Sequence, residues 1–154
     1  IYNLRVFGIF GKYEDYRRRL ISNSICRLLC GENIVLNKNG CFDYLYVKDF
    51  SEIVEMFINK DPKYSTYNTC TGEVIDFLTI VKIINEIDGR GKPIEVKQEG
   101  INPEYSGDNS RFLEEFGPMN LTSLEISIKE LYNWYKFESN LSFDDKLFDT
   151  WIKN

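Results

Sequence analysis

The chain has 154 residues, 43% hydrophobic and 15% aromatic, with 28% charged residues of mixed sign and a net charge of -5. That length and apolar content allow one domain with an ordinary core, and the acidic balance argues against nucleic acid as the main partner, because phosphate backbones are bound by concentrated Lys and Arg. The absence of histidine removes Ser-His and Cys-His nucleophilic systems, and no apolar run approaches the roughly 20 residues of a membrane span.

Cys26, Cys30, Cys41 and Cys70 form no C-x-x-C pair, so reduced thiols in a cytosolic protein are expected. Without histidine, a zinc site would need all four thiols to converge. No signal peptide is visible. The chain opens at Ile1 inside a strand-like run without a methionine, as expected of a piece of a longer polypeptide.

The run YNLRVFGIFG reads as a strand and a turn carrying Gly8 and Gly11. Leu20, Ile21, Ser24, Ile25, Leu28 and Leu29 recur at helical spacing, closed by Gly31. The cluster Arg17-Arg18-Arg19 is placed on that helix, as a solvated face or an anion contact. Asn33 to Leu36 is a short β-rich run, and Asn37 to Gly40 a predicted turn. Phe42 to Tyr46 alternates as an aromatic strand and passes, at Asp49, into a helix with Phe50, Ile53, Val54, Phe57 and Ile58 on one face. Asp49 is predicted to cap that helix, which stops near Asp61-Pro62.

Thr66 to Cys70 is a further strand and Thr71-Gly72-Glu73 a turn. Phe77, Ile80, Val81, Ile84 and Ile87 mark a helix ending by Gly89, and Ile94 to Lys97 alternates like a strand. After a polar stretch from Glu99 to Asn109 comes a short helix, about Ser110 to Phe116, ended by Gly117-Pro118. Thr122-Ser-Leu-Glu125 reads as a capping box opening a helix through Tyr135. A last helical segment, Phe143 to Ile152, follows a linker from Glu138 to Ser142. Short strands separated by helices predict an α/β fold holding only part of a sheet.

Two Tyr-x-x-x-Lys pairs test for proton-transfer chemistry, which needs the ammonium a helical turn from the phenol to lower its pKa. Tyr44 and Lys48 are predicted extended, which places them roughly 13 Å apart. Tyr132 and Lys136 fall on a helix beside Trp134 and Tyr135, where covering the core is the expected role. The acid pairs Asp43/Asp49 and Asp144/Asp145 read as capping and solvation. No glycine fingerprint for a pyrophosphate is present, since Gly89-Arg-Gly91 lacks a third glycine and neither Gly11-Lys12 nor Gly91-Lys92 precedes Ser or Thr.

In order, NLRVFGIFG, ENIVLNKNGCFDYLYVKDFSEIVEMF, TYNTCTGEVIDFLTIVKIINEI, GDNSRFLEEFGP and TSLEISIKELYNWY resemble the second half of the extended short-chain dehydrogenases/reductases. These are the NAD(P)-dependent nucleotide-sugar epimerases, dehydratases and reductases. The resemblance runs from about Asn3 to Lys136, with 137–154 as a helical extension. It implies an incomplete Rossmann-type fold whose catalytic tyrosine, lysine and glycine-rich NAD or NADP half precede these residues. This portion would bind the nucleotide-sugar and hold no cofactor by itself, or would have become a non-catalytic sugar-nucleotide or protein-binding module.

The same resemblance carries over site positions. The backbone at Val6 and Phe7 is expected near the nicotinamide carboxamide. Gly8 stands where the family commonly has a substrate-holding Asn, and Phe42 where it has an Arg that meets the substrate diphosphate. Lys12, Arg19 or Arg111 would supply that contact instead. Asp108 and Arg111 match a segment near the nucleotide end, or form a salt bridge ahead of the short helix. Strand edges left without neighbours would favour self-association through Asn3 to Phe7.

Overall fold

The computed structural model describes residues 1–138, so the segment predicted for Phe143 to Ile152 lies outside the described residues. The strands are β1 (Asn3–Val6), β2 (Ile9–Phe10), β3 (Ile34–Asn39), β4 (Cys41–Phe42), β5 (Leu45–Tyr46), β6 (Thr66–Thr69), β7 (Ile75–Asp76) and β8 (Ile94–Ile101). The helices are α1 (Leu20–Leu29), α2 (Val47–Asn59), α3 (Phe77–Asp88), α4 (Ser110–Phe116) and α5 (Leu124–Asn133), the last continuing into a π-helical turn, Trp134–Glu138. Every strand pairs with one other: β1 with β6, β2 with β5 and β3 with β8 are parallel, and β4 with β7 is antiparallel. This is the expected α/β architecture with part of a sheet.

Two apolar clusters hold it together. In one, Ile21, Ile25 and Leu28 of α1 meet Ile80, Val81 and Ile84 of α3, Ile128 and Leu131 of α5, and Ile34 of β3, all at most 1% exposed. In the other, Leu45, Ile53, Phe57, Tyr67 and Phe112 pack β5 and β6 against α2 and α4, with Phe57 edge-on to Tyr67 at 5.0 Å between ring centres. Each fully buried aliphatic or aromatic side chain contributes about 1.5–3 kcal/mol, and the helical faces read from sequence are largely the faces found; Ile58, read as part of the α2 face, is instead exposed in the last turn of that helix.

Helix ends follow the glycines: Gly89 takes the left-handed conformation at φ 75° after α3, and Gly31 has φ 86° beyond α1. Other boundaries differ from the sequence reading. Asn37 to Asn39 belong to β3, because pairing with β8 carries the strand past its apolar residues, and Glu99 to Ile101 lie in β8 for the same reason. The aromatic strand is divided: Phe42 pairs with Ile75, Leu45 with Ile9, and Asp43-Tyr44 lie between. Lys48 is therefore in the first turn of α2 and not extended. Arg17 to Arg19 precede α1, where Arg17 and Arg18 pair with Asp15 at 2.7 and 3.7 Å.

Candidate functional site

In parallel α/β sheets, ligands bind outside the carboxyl ends of the strands. At that end of β1 and β6, several chain segments converge. Phe7 donates its N-H to Thr69 C=O at 3.4 Å, and its ring lies 5.3 Å from that of Tyr105. The thiol of Cys70 contacts Gly107 C=O at 3.1 Å, and Asn109 Nδ2 donates to Cys70 C=O at 3.0 Å. Gly107 is required under Phe7, since a Cβ there would stand 2.5 Å from the ring.

Asp43 ties this end together. It is 0% exposed; its Oδ1 accepts from Thr71 N-H and Thr71 Oγ1 at 2.9 and 2.8 Å, and its Oδ2 accepts from Gly72 N-H at 2.8 Å. Asp49, 4% exposed, does not cap α2, whose preceding residue Tyr46 makes no side-chain cap. Its carboxylate instead accepts from Thr122 N-H at 3.0 Å and Thr122 Oγ1 at 2.7 Å, fixing the approach to α5. Ser123, one residue beyond the predicted cap, accepts from Ile126 N-H. Neither aspartate is solvated, contrary to the sequence reading, because each satisfies donors brought by a distant segment.

The sequence-derived positions fall in different places. Val6 and Phe7 are half-buried at the end of β1. Gly8 leaves no room for a side chain, since a Cβ would lie 2.1 Å from Asp43 C=O, and its own carbonyl accepts from Leu45 N-H at 3.2 Å. Phe42 stacks on Tyr44 at 5.9 Å and meets Phe77 and Tyr105 at 4.9 and 5.1 Å. Lys12 reaches Glu138 at 3.5 Å, and Arg19 is exposed just before α1. Asp108 and Arg111 do not pair: Asp108 accepts from Ser110 N-H at 2.8 Å. Arg111 donates to Thr66 C=O at 2.9 Å and lies over the Tyr64 ring at 4.7 Å. Thr66 begins β6, so that guanidinium sits at the amino end of the parallel pair, away from Phe7 and Gly8.

The helical Tyr132 is tied down, its hydroxyl donating to Asp88 at 2.8 Å. Burial, reinforced by that bond, pushes the phenol up to about 12, the wrong direction for a group that must lose its proton near neutrality. Burial likewise raises Tyr44. Among the described residues, no group of His, Cys, Asp and Glu is arranged to hold a metal ion, and no helix is long and apolar enough to cross a membrane.

An adjoining cleft of about 660 Å³ runs between Tyr44, Asp49, Thr71, Glu73, Leu113 and Thr122, bounded by the segment 118–125. None of the positions taken from the resemblance lines it, and its described walls carry no Lys or Arg. It is unsuited to a diphosphate.

Comparison with known proteins agrees with this geometry. Residues 1–70 match the model of the NAD dependent epimerase/dehydratase family. No curated protein sequence matches the chain. Among solved structures, UDP-glucose 4-epimerase from Thermotoga maritima with UDP-glucose superposes with a TM-score of 0.72 at 21% identity, over 86% of this chain and 45% of that one. The dTDP-glucose 4,6-dehydratase from Bacillus anthracis in complex with NAD gives 0.73 at 21% identity, over 86% and 43%. UDP-glucuronic acid 4-epimerase from Bacillus cereus, in complex with UDP-glucuronic acid and NAD, gives 0.73 at 18%, over 88% and 45%. This chain thus spans under half the length of these enzymes. Residues 1–70 match the sequence pattern of the NAD dependent epimerase/dehydratase family, and the described residues share the fold of the corresponding part of these enzymes.

Proposed function

We propose that this chain is the nucleotide-sugar-binding portion of an NAD(P)-dependent epimerase, dehydratase or reductase, and that hydride exchange is carried out with a dinucleotide-binding half outside these residues. The observation that carries the reading is the convergence of Phe7, Gly8, the Asp43-bound turn at Thr71-Gly72 and the Gly107–Asn109 segment at the carboxyl ends of β1 and β6. In this reading the main chain at Val6 and Phe7 faces the nicotinamide, the group that supplies hydride chemistry when bound. Gly8 offers only backbone, and Phe42 with Tyr105 gives the sugar an apolar wall. Lys12 and Arg19 meet the diphosphate. Arg111, committed to Thr66 and Tyr64, braces α4 against β6, and Asp108 orders the turn into α4 through Ser110.

The exposure of β1 supports the missing partner. Parallel strands are ordinarily covered on both faces, yet Asn3 and Arg5 are exposed, and β6 is the only strand paired with β1 among the described residues. The dinucleotide-binding half would cover that side, and in its absence a second copy of this chain would. Strand β8 is exposed along nearly its whole length too, but Glu95, Lys97 and Glu99 guard it with charge.

The test is reconstitution. Neither the chain nor a separately expressed dinucleotide-binding half should convert a nucleotide-sugar, whereas the mixture with NAD or NADP should. Turnover by this chain alone contradicts the proposal. Tight binding of nucleotide-sugar with no activity in any mixture would instead favour a non-catalytic module.

A further inference from the structure

Between β2 and α1 the chain makes an excursion, 11–19, whose anchoring is unusual. Tyr13 has φ 69°, a left-handed conformation that a residue with a side chain rarely adopts. Its ring stands edge-on to Trp134 at 5.0 Å, and Lys12 contacts Glu138 at 3.5 Å. Tyr16 packs on the core. Between these contacts Glu14 turns inward: its Oε1 is hydrogen-bonded to Ser22 Oγ of α1, and its Oε2 is buried with no hydrogen-bond partner. An ionised carboxylate with an unsatisfied buried oxygen is costly. A protonated one can donate to Ser22 and leave only a neutral carbonyl oxygen.

We propose that 11–19 is a strap latched by the protonated carboxyl of Glu14, and that loss of this proton frees it. Burial pushes Glu14 up to about 7, while Ser22, the Gly11 N-H and Arg19 pull the other way. The titratable groups facing it from elsewhere are Cys26 on α1, Tyr44 between β4 and β5, and Tyr135 in the π-helical turn. Burial raises all three, so they remain neutral while Glu14 titrates. Arg19 is the charged group in the set, and its pull toward the ionised form is outweighed by burial.

The sign follows from linkage. With the strap down the carboxyl holds its proton more tightly than when exposed, so closure is pH-independent below about pH 4.5 and weakens as pH rises toward about 7. The loss is about tenfold per pH unit, roughly three hundredfold over the whole range and about a hundredfold of it above pH 5. Lys12 and Arg19 lie within the strap, so its release would also move the two cations assigned to the diphosphate. That consequence rests on the proposed function; the latch does not.

The test is therefore run without ligand. In the full chain, amide hydrogen exchange of 12–19, corrected for the intrinsic pH dependence, should show protection falling about a hundredfold between pH 5 and pH 8, and Glu14→Gln should abolish that fall. The carboxyl carbon shift of Glu14 in the unsubstituted protein should titrate near pH 7, a measurement that needs no variant. Equal pH dependence in the two proteins, or a Glu14 midpoint near 4.5, overturns the latch.

Discussion

Replacing Asp43 with Asn preserves its size and removes its charge. The aspartate is fully buried and accepts from three donors, Thr71 N-H, Thr71 Oγ1 and Gly72 N-H, at 2.8 to 2.9 Å. In the variant, whichever way the amide is turned, its NH₂ faces a backbone N-H of Thr71 or Gly72 and that donor is left unsatisfied. An unsatisfied buried donor costs about 1–3 kcal/mol, and the bonds that survive lose their charge assistance. A total of roughly 2–4 kcal/mol lowers Tm by about 5–12 °C in a chain of this size. Asp43→Ala removes every acceptor and should cost more, about 3–5 kcal/mol. Thr71→Val keeps the backbone bond and loses only the hydroxyl, for about 1 kcal/mol. Urea and thermal unfolding followed by circular dichroism at neutral pH give the order Ala, Asn, Val. If Asn and Ala variants both lie within about 0.5 kcal/mol of the parent, the turn at Thr71-Gly72 is not held by Asp43 and the reasoning fails.

Further outcomes follow from the same contacts. Gly8→Ala places a methyl 2.1 Å from Asp43 C=O, so β1 must shift; a loss of about 2–4 kcal/mol is expected in the same unfolding assay. Hydrogen bonds from Thr79 hold Asp76 below its usual range, and Arg90, with help from Tyr132, does the same for Asp88. Each contributes stability that is present above the unfolded pKa, near 4, and lost as pH falls through the lower folded value. Tm should therefore drop on acidification below about pH 4, and less steeply in Asp76→Asn. The uncovered side of β1 should drive self-association, seen by sedimentation as a concentration-dependent dimer that Leu4→Pro or addition of the dinucleotide-binding half removes. A monomer at every concentration would count against this use of the edge.

The helices α1, α3 and α4 were legible in the sequence because their apolar spacing coincides with a buried face and a glycine stands past each end, Gly31, Gly89 and Gly117. The register of the strands was less so. Asn39 looks like a turn residue, yet its side chain accepts from Leu78 N-H and donates to Asp76, helping to cap α3 from β3. Asp49 occupies a plausible cap position by spacing alone, but its partner is Thr122, 73 residues away. Asp43 was hidden in the same manner. A carboxylate whose donors arrive through tertiary folding carries no local pattern, and the same holds for Arg111, whose place at the far end of β6 depends on how α4 packs. The family resemblance pointed to Val6, Phe7 and Gly8 at the end of β1; it gave no sign that Glu14 is buried against α1.

Calorimetric titration of the full chain with nucleotide-sugars and, separately, with NAD and NADP tests the central claim most directly. Saturable binding of a nucleotide-sugar, weakened in Lys12→Ala and Arg19→Ala, with no heat from either dinucleotide and no conversion of the sugar, is the result predicted. Dinucleotide binding without nucleotide-sugar binding would contradict it.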